Sequence, residues 1–564
     1  MGNSWKLRES PDINISKSLQ EELKVSKIIS DLLTLRGIKS YSEAKNFFRP
    51  ELSQLFDPFL MKNMKKAVKM ILKAIKTKRK IMIYGDYDVD GTTSVAILYL
   101  FLKNFDIEPL TYIPDRFDEG YGLSNKGINK AKDESVELLV VVDCGIKAID
   151  QIELANSYGI KVIVCDHHKP SNDLPEAAAI LNPKQLDCDY PYKELCGCGI
   201  VFKFIQAINF EKGFSINKIV EFLDFVAIAI VADLVPITNE NRILASLGIK
   251  IMNKTPRGFI KAFLKNLNRD INTSDLAFKI GPRINASGRI RHANYSLELL
   301  TSKNDVDIES KIRSIELLNS ERRLITEKTT KQALDQIETL SYSGEKTSVV
   351  FRPDWNKGVI GIVASRLIEH YYRPTIVFTK SKNTYSGSAR SVKNFDIYKS
   401  ISDCSNHLIQ FGGHKYAAGL TLLPEKYNDF KKAFNKSVSE TISNDQLVQS
   451  YKYDLEVSLD QLTLSVYRII RQMGPFGVSN RTPIFCIKNC IDNGGSKLVG
   501  NENNHLKIQI TDKSGQIMDG IGFEMGNYIS KIKMKSEFDV IAHLEENNFN
   551  GNLKLQLIVK EILF

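Results

Sequence analysis

The stretch IMIYGDYDVDG, residues 81–91, sets three aspartates at alternate positions, Asp86, Asp88 and Asp90, directly behind an apolar run. That run, Ile81–Tyr84, is short and continuously apolar, which reads as a strand buried on both faces. Carboxylates this close repel one another and resist joint ionisation, so the comb needs a cation or a basic cluster to neutralise it. A solvated acidic turn would carry the same letters, and the comb alone does not separate the two readings.

Working outward, Leu139–Val142 and Val162–Cys165 are further apolar, β-branched runs, and Thr93–Leu102 and Ala148–Ser157 carry helical patterns between them. Such alternation is βαβ logic and predicts a mainly parallel sheet with helices on both faces. In sheets of this kind ligands gather at the carboxyl ends of the strands. Each strand here is followed at once by acidic or imidazole groups: the comb, then Asp143, then Asp166-His167-His168. A fourth acidic position, Asp233, closes the apolar helical stretch Phe225–Val231, where an unpartnered charge beside buried surface is costly. Four sequence-distant acidic positions and a His-His pair brought to one edge outweigh the solvated turn. Oxygen ligands with one or two imidazoles suit Mn²⁺ or Mg²⁺, and so many carboxylates can hold two ions. Paired ions point to phosphoryl chemistry, because they generate hydroxide near neutral pH and stabilise both oxygens of an in-line displacement.

These motifs resemble those of the DHH phosphoesterases and, among them, the bacterial single-strand-specific exonucleases. GDYDVDG, VVDCG, CDHH at 165–168 and VADLVPITNENR at 231–242 resemble four family motifs, and the resemblance runs over nearly the whole chain. It implies that Asp88, Asp90, Asp143, His167 and Asp233 ligate two divalent ions, Mn²⁺ or Mg²⁺, and that His168 faces the substrate phosphate as a donor at developing charge. Many relatives carry a histidine where this chain has Tyr84, so Asp86 is expected to fill out the first ion's shell and join the catalytic set. IPDRFDEGYGL at 113–123 resembles the segment that holds the DNA end, with Arg116 for a phosphate and Tyr121 for a base. GPRINASGRIRH at 281–292 resembles another family pattern and contributes Arg283, Asn285 and Arg289 as substrate-binding candidates.

A long helical pattern from about Asp305 to Leu340 is expected to link two domains. Beyond it, GVIGIVASRL at 358–367, SGSARS at 386–391 and FGGHKYAAGL at 411–420 resemble the DHHA1 domain that accompanies the DHH module. The resemblance implies that Ser388, Arg390, Gly412, Gly413 and His414 bind substrate, with Ser388 and Arg390 resembling a pocket for a 5′-phosphate. Residues 447–564 alternate five short apolar strands with glycine or asparagine turns, which reads as a small barrel of the OB type. GPFGVSNRTPIF at 474–485 resembles the segment that enters that barrel in the exonucleases, and Phe549 in the last hairpin offers an aromatic ring for stacking. The expected fold is α/β: a helical extension over 1–60, a parallel-sheet DHH domain over 61–304, the linking helix over 305–340, a smaller α/β DHHA1 domain over 341–446, and the OB-like β-barrel over 447–564.

Composition bounds the function. The 564 residues are too many for one core, and 43% apolar with 25% charged residues is ordinary for folded protein. The net charge of +11 favours a polyanionic partner. Eight scattered cysteines include one CxC, Cys196 and Cys198, with no second half for a zinc site, so they read as reduced buried thiols. No long apolar run or apolar leader is visible, so no membrane is expected and cytoplasmic location is the default. Together with the resemblance, these features predict a metal-dependent exonuclease degrading single-stranded DNA from the 5′ end to mononucleotides in DNA repair and recombination. It is expected to act as a monomer, in cooperation with a helicase and a single-strand-binding protein. Two alternatives share parts of this pattern: a DHH phosphodiesterase for cyclic dinucleotides or short oligonucleotides, and an inactive nucleic-acid-binding scaffold. The barrel speaks against the first and the intact acidic set against the second.

Overall fold

Ile81–Gly85 lies second in a five-stranded, all-parallel sheet whose order is Leu110–Tyr112, Ile81–Gly85, Leu138–Val142, Lys161–Cys165, Ala179–Leu181. The chain's next strand pairs on one side of Ile81–Gly85 and the following one on the other, so the strand order reverses at Ile81–Gly85. The crevice at such a switch point is where open α/β sheets bind ligands, and the comb and Asp143 leave the two strands that border it. The computed structural model describes residues 4–339, 345–534, 536–549 and 552–564. The domain boundary expected at 340–341 and the side chain of Phe549 lie outside them.

The chain divides into two units, one of Phe56–Val235 and Leu247–Gln449, the other of Gly2–Leu55, Pro236–Ser246 and Ser450–Phe564. In the first, Val89–Lys103, Gly197–Glu211 and Leu223–Ala232 are helices buried nearly all round. That burial explains why none of the three has a marked apolar stripe. GPRINASGRI is helical over Gly281–Ile290 and follows a π-helical turn, Leu276–Ile280. Its Gly288 is required because a Cβ there would lie 2.7 Å from the Tyr87 carbonyl oxygen. The helix Asp305–Thr339 then leads to a five-stranded mixed sheet ordered Gln410–His414, Ala417–Leu422, Thr384–Arg390, Thr375–Ser381, Ser348–Phe351. Contact between the two sheet domains is close enough to exclude a methyl group: a Cβ on Gly358 would stand 1.9 Å from the Arg289 carbonyl oxygen.

In the second unit, seven strands form the C-terminal sheet, closed by pairing of Phe485–Asp492 with His505–Thr511. The two strands beyond the five expected, Leu455–Val457 and Lys497–Val499, are three residues each, too short to show period-two alternation. The N-terminal segment is no separate appendage. Leu19, Ile29, Leu32 and Leu33 share one core with Phe485, Ile508, Val540 and Leu557 of the barrel, and Ser4–Leu7 pairs in parallel with Ser450–Tyr453. Buried Arg242 ties this unit internally by donating to the carbonyls of Phe47, Met473 and Gly474. Among the described residues no helix is long and apolar enough to cross a membrane.

His543, on the barrel strand Phe538–Phe549, is held down to about 4 by burial and by Lys560. A histidine depressed in the folded state leaves stability unaffected above its unfolded value near 6.5 and costs stability as pH falls from there toward 4. His543→Gln should therefore match the parent at pH 7.5 and gain on it by about 2 kcal/mol at pH 5, read by denaturant unfolding at the two pH values.

Candidate metal centre

Each acidic group is delivered by a defined piece of backbone. Asp86 follows the strand Ile81–Gly85, and Asp88 N-caps the helix Val89–Lys103 by accepting from the Gly91 amide at 3.0 Å. The glycine that ends the comb is obligatory, since a Cβ on Gly91 would come within 2.4 Å of the Asp86 carbonyl oxygen. Asp90 sits in the first turn of that helix and points at the N-terminus of another, Gly197–Glu211, accepting from the Gly197 amide at 2.6 Å and the Cys198 amide at 2.7 Å. Asp143 leaves its strand in the left-handed region, φ 58°, with its amide donating to the Cys165 carbonyl at 2.8 Å. Aspartate tolerates that conformation better than most residues. Asp233 caps the end of the helix Leu223–Ala232.

These groups meet at His167. Its Nε2 lies 3.3 Å from Asp143 Oδ1, 3.6 Å from Asp233 Oδ2 and 3.7 Å from Asp90 Oδ2. Two sets have ligand atoms all mutually within 4.8 Å: Asp90, His167 and Asp233, and Asp143, His167 and His168. Asp86 and Asp88 fall outside both sets, although Asp88 is a charge neighbour of Asp86, Asp90, Asp143 and Asp233. Tyr84 takes no part: its ring stacks on Tyr112 at 5.2 Å in the core, and its hydroxyl donates to the Gly122 carbonyl at 2.9 Å.

The electrostatics are those of a site short of positive charge. Burial and Asp88 push Asp86 up to about 8 against the pull of Arg116. Burial and Asp88 push Asp90 up to about 6 even though two backbone amides favour its charged form. Asp143 and Asp233 are raised well above the carboxylate range by burial and then by Asp90. His167 is held down to about 3 by burial and by the neighbouring His168, so its ring is neutral, the form that ligates metals. Asp86 Oδ1, Asp143 Oδ1 and His167 Nε2 are buried without a hydrogen-bond partner among the described residues. Buried polar atoms are otherwise almost always satisfied, and the orphaned Asp143 carboxylate and His167 imidazole atoms, 3.3 Å apart, fit a hard divalent cation. The thiols of Cys144, Cys196 and Cys198 are pushed up by burial and then by aspartate neighbours, so they stay protonated. Cys196 is an N-cap, its Sγ accepting from the Gly199 amide at 3.2 Å.

His168 is built differently. Its Nδ1 is 2.7 Å from Asp166 Oδ1, and its Nε2 is 3.1 Å from the Tyr121 hydroxyl. Burial would lower it, but the hydrogen bond to Asp166 and that residue's charge outweigh burial and carry it up to about 9. Asp166 is fixed in turn by the Ile146 and His168 amides and held down to about 2 by His168, despite burial. Its placement behind His168 was visible in the DHH triplet, but its role as the orienting partner was not.

Beside the acids stands a group of cations. The Arg116 guanidinium lies 4.1 Å over the Tyr87 ring, and its Nε is buried without a partner among the described residues. Arg289 donates to the Gly358 carbonyl at 3.1 Å and is pulled down to about 9 by burial and then by Arg116 and Arg390. Arg390 donates to its neighbour Ala389 and stands 3.4 Å from Ser388 Oγ. A Cβ on Gly361, in the first turn of the helix Ile360–His370, would lie 3.0 Å from Ser388 Oγ and 3.1 Å from the Arg390 guanidinium. His414 is within electrostatic reach of both Arg390 and His168, which connects the second sheet domain to the first. Gly413 has φ 146° and abuts Ala417 and Ala418, whereas Gly412 has open space. Arg283 is engaged elsewhere, by Glu316 at 2.7 Å and the Lys279 carbonyl, and Asn285 is half-buried on the same helix. Tyr87 and Lys357 were not anticipated from the sequence. Both face Arg116, and only the aromatic letter between two aspartates hinted at the first.

Three family models match this chain: the DHH family N-terminal domain over residues 80–230, the DHHA1 domain over 344–440 and the RecJ OB domain over 453–561. The chain is similar to the single-stranded-DNA-specific exonuclease RecJ of Bacillus subtilis (strain 168), 35% identical over 99% of this chain and 70% of the relative. It is also similar to that of Escherichia coli (strain K12), 32% identical over 95% of each. Among solved structures, RecJ of Thermus thermophilus in complex with Mn²⁺ has the same fold, with a TM-score of 0.86 at 23% identity over 99% of this chain and 79% of that one. An exonuclease RecJ bound to manganese matches 70% of this chain and all of its own, with a TM-score of 0.61 at 26% identity.

A site strained by like charges predicts a trade between stability and binding. Asp143→Asn, which keeps the shape and tolerates the positive φ, should raise the unfolding midpoint of the metal-free protein by a few degrees and abolish Mn²⁺ binding by titration calorimetry.

Proposed function

The chain belongs to the family of RecJ single-stranded-DNA-specific exonucleases, and from that membership we propose a metal-dependent exonuclease that hydrolyses single-stranded DNA from its 5′ end to mononucleotides. The observation that carries the proposal is the convergence of three carboxylates on His167 Nε2 next to a cation cluster in which no carboxylate bonds to the Arg289 or Arg390 guanidinium among the described residues. Asp86, Asp88, Asp90, Asp143, His167 and Asp233 would hold two divalent ions, Mn²⁺ or Mg²⁺. When bound, these supply Lewis-acid stabilisation of the scissile phosphate and make water nucleophilic near neutral pH.

The chain's own residues do the rest. His168, charged near neutral pH because Asp166 holds its other nitrogen, donates to the phosphate oxygens as negative charge builds on them. Arg116, Arg289, Arg390 and Ser388 form the seat of a terminal phosphate, and Tyr87 fixes the Arg116 guanidinium from one face. A terminal phosphate gripped there sets which phosphodiester reaches the acidic site, while the 5′ polarity itself is assigned from the family membership. Tyr121 and His414 border the same space, with Gly412 leaving it free of a side chain, Gly413 packing against Ala417 and Ala418, and Arg283 and Asn285 supporting the arginine-bearing helix.

The barrel has little use for a substrate two nucleotides long and favours long strands over cyclic dinucleotides. Because the substrate is single-stranded, a helicase and a single-strand-binding protein are the partners this chemistry calls for. We place the enzyme in cytoplasmic DNA repair and recombination as a monomer.

Digestion of a strand labelled at one end, with and without a 5′-phosphate, tests substrate, polarity and end sensing together. Release of labelled mononucleotide first from the 5′ end is expected, and faster cutting of dinucleotide than of long strands would overturn the reading. Arg390→Ala should lower the preference for 5′-phosphorylated ends by about tenfold, the worth of one charge-assisted hydrogen bond. Equal loss on both end types would remove Arg390 from end sensing.

A further inference from the structure

The CGCG segment at 196–199 looked like half a metal site in the sequence and has no part in the proposed chemistry, yet it lies against two of the proposed ligands. The Gly197 and Cys198 amides donate to the two oxygens of Asp90, at 2.6 and 2.7 Å, from the positive end of a 15-residue helix. The same Gly197 packs against the other carboxylate. A Cβ there would lie 2.5 Å from Asp143 Oδ1, 2.7 Å from its Cβ and 2.8 Å from its Cγ. Asp143 cannot step aside easily, because its amide is bonded to Cys165 and its backbone is held at φ 58°. Gly197 is fully buried and has no positive φ, so neither solvent nor backbone conformation explains a glycine in the first turn of this helix. Alanine would be the better helix former by close to 1 kcal/mol.

We propose that Gly197 is a positioning residue that sets the spacing of two metal ligands by holding Asp90 through its amide and admitting Asp143 through its missing side chain. The inference rests on the reading of Asp90 and Asp143 as ligands. It adds that one backbone position, 107 residues from Asp90 along the chain, fixes both. Two charge-assisted amide bonds leave the Asp90 carboxylate a single orientation. The outward lone pairs then face the centre that Asp143, Asp233 and His167 also border. A methyl group at 197 would push the helix end and the Asp143 carboxylate apart, and the amides would carry Asp90 with them. Cys196 serves the same arrangement only by starting the helix, a task a serine hydroxyl performs as well.

The test uses the full-length protein and Mn²⁺ as the probe. In Gly197→Ala, Mn²⁺ affinity by titration calorimetry should fall at least tenfold, the usual effect of disturbing a group that orients a ligand. The kcat on single-stranded oligonucleotide should fall while KM stays within about threefold, as expected when only the reacting centre moves. The metal-free unfolding midpoint should stay near the parent's. Cys196→Ser should leave Mn²⁺ affinity unchanged. Cys198→Pro supplies a second route should the alanine variant fail to fold. It deletes one donor to Asp90 and adds nothing beside Asp143, in the first turn where proline is tolerated, after a glycine with no Cβ to meet the ring. It too should weaken Mn²⁺ binding. Parental Mn²⁺ affinity in both variants would overturn the inference, and so would a loss of metal-free stability with normal affinity in the remaining folded fraction. Asp143→Asn separates the two levels. If it binds Mn²⁺ like the parent, the ligand reading itself fails; if it loses Mn²⁺ while Gly197→Ala keeps it, only the role of Gly197 does.

Discussion

Mutual repulsion among buried carboxylates is the constraint on which the rest of this structure depends. Asp86, Asp90 and Asp143 are each no more than 2% exposed, and all three are driven toward the neutral form by burial and then by an aspartate neighbour, Asp88 for the first two and Asp90 for the third. In a free chain such groups would separate. Here each is anchored by something that cannot yield cheaply: the sheet for Asp143, the end of a buried helix for Asp233, and two converging helix N-termini for Asp88 and Asp90. The folding energy of the parallel sheet and its buried helices thus holds together a charge arrangement that is unfavourable until a cation arrives. Such stored frustration is common where a protein must bind a small, highly charged ion.

The cation cluster is frustrated in the opposite sense. Burial and neighbouring arginines pull Arg289 down to about 9 and lower Arg390 as well, and no carboxylate bonds to either guanidinium among the described residues. An anionic phosphate relieves this cluster as a divalent cation relieves the other. The two meet at Arg116, which lowers Asp86 on one side and opposes Arg289 and Arg390 on the other. A phosphate anion carried together with divalent cations would relieve both clusters at once, which neither a metal ion nor an anion does alone.

The sequence was legible where local physics and chemistry coincide. An apolar strand ending in acids announces the sheet and its ligands together, because strand burial and the switch-point crevice follow from the same pattern. Asp233 was legible as a charge stranded at the end of an apolar helix, and the helix Asp305–Thr339 from its period. What failed to show depends on contacts remote in the chain. The core shared by Leu19–Leu33 with the barrel joins residues more than four hundred positions apart, and no local period encodes it. The helical state of GPRINASGRI was hidden by its glycines, which in a sequence read as turn formers. In the structure Gly288 is there to let the Tyr87 carbonyl approach.

Other glycines of the motifs stand like Gly288 against a neighbouring segment. Gly91 lies against the Asp86 backbone, Gly288 against Tyr87, Gly358 against Arg289, and Gly361 against Ser388 and Arg390. None of these four needs a positive φ, so none is present for backbone freedom. The first three admit a neighbouring backbone to a distance that a methyl group would forbid, and Gly361 leaves room for the Ser388 and Arg390 side chains, which a methyl group would crowd. Gly91, Gly288 and Gly358 therefore encode distances, whereas Gly120, Gly122 and Gly145 of other motifs serve turns at positive φ. Packing of apolar side chains tolerates errors of a few tenths of an ångström. A carboxylate that must share an ion does not, and a missing Cβ is the one spacer that sets so short a separation without adding an atom to the site.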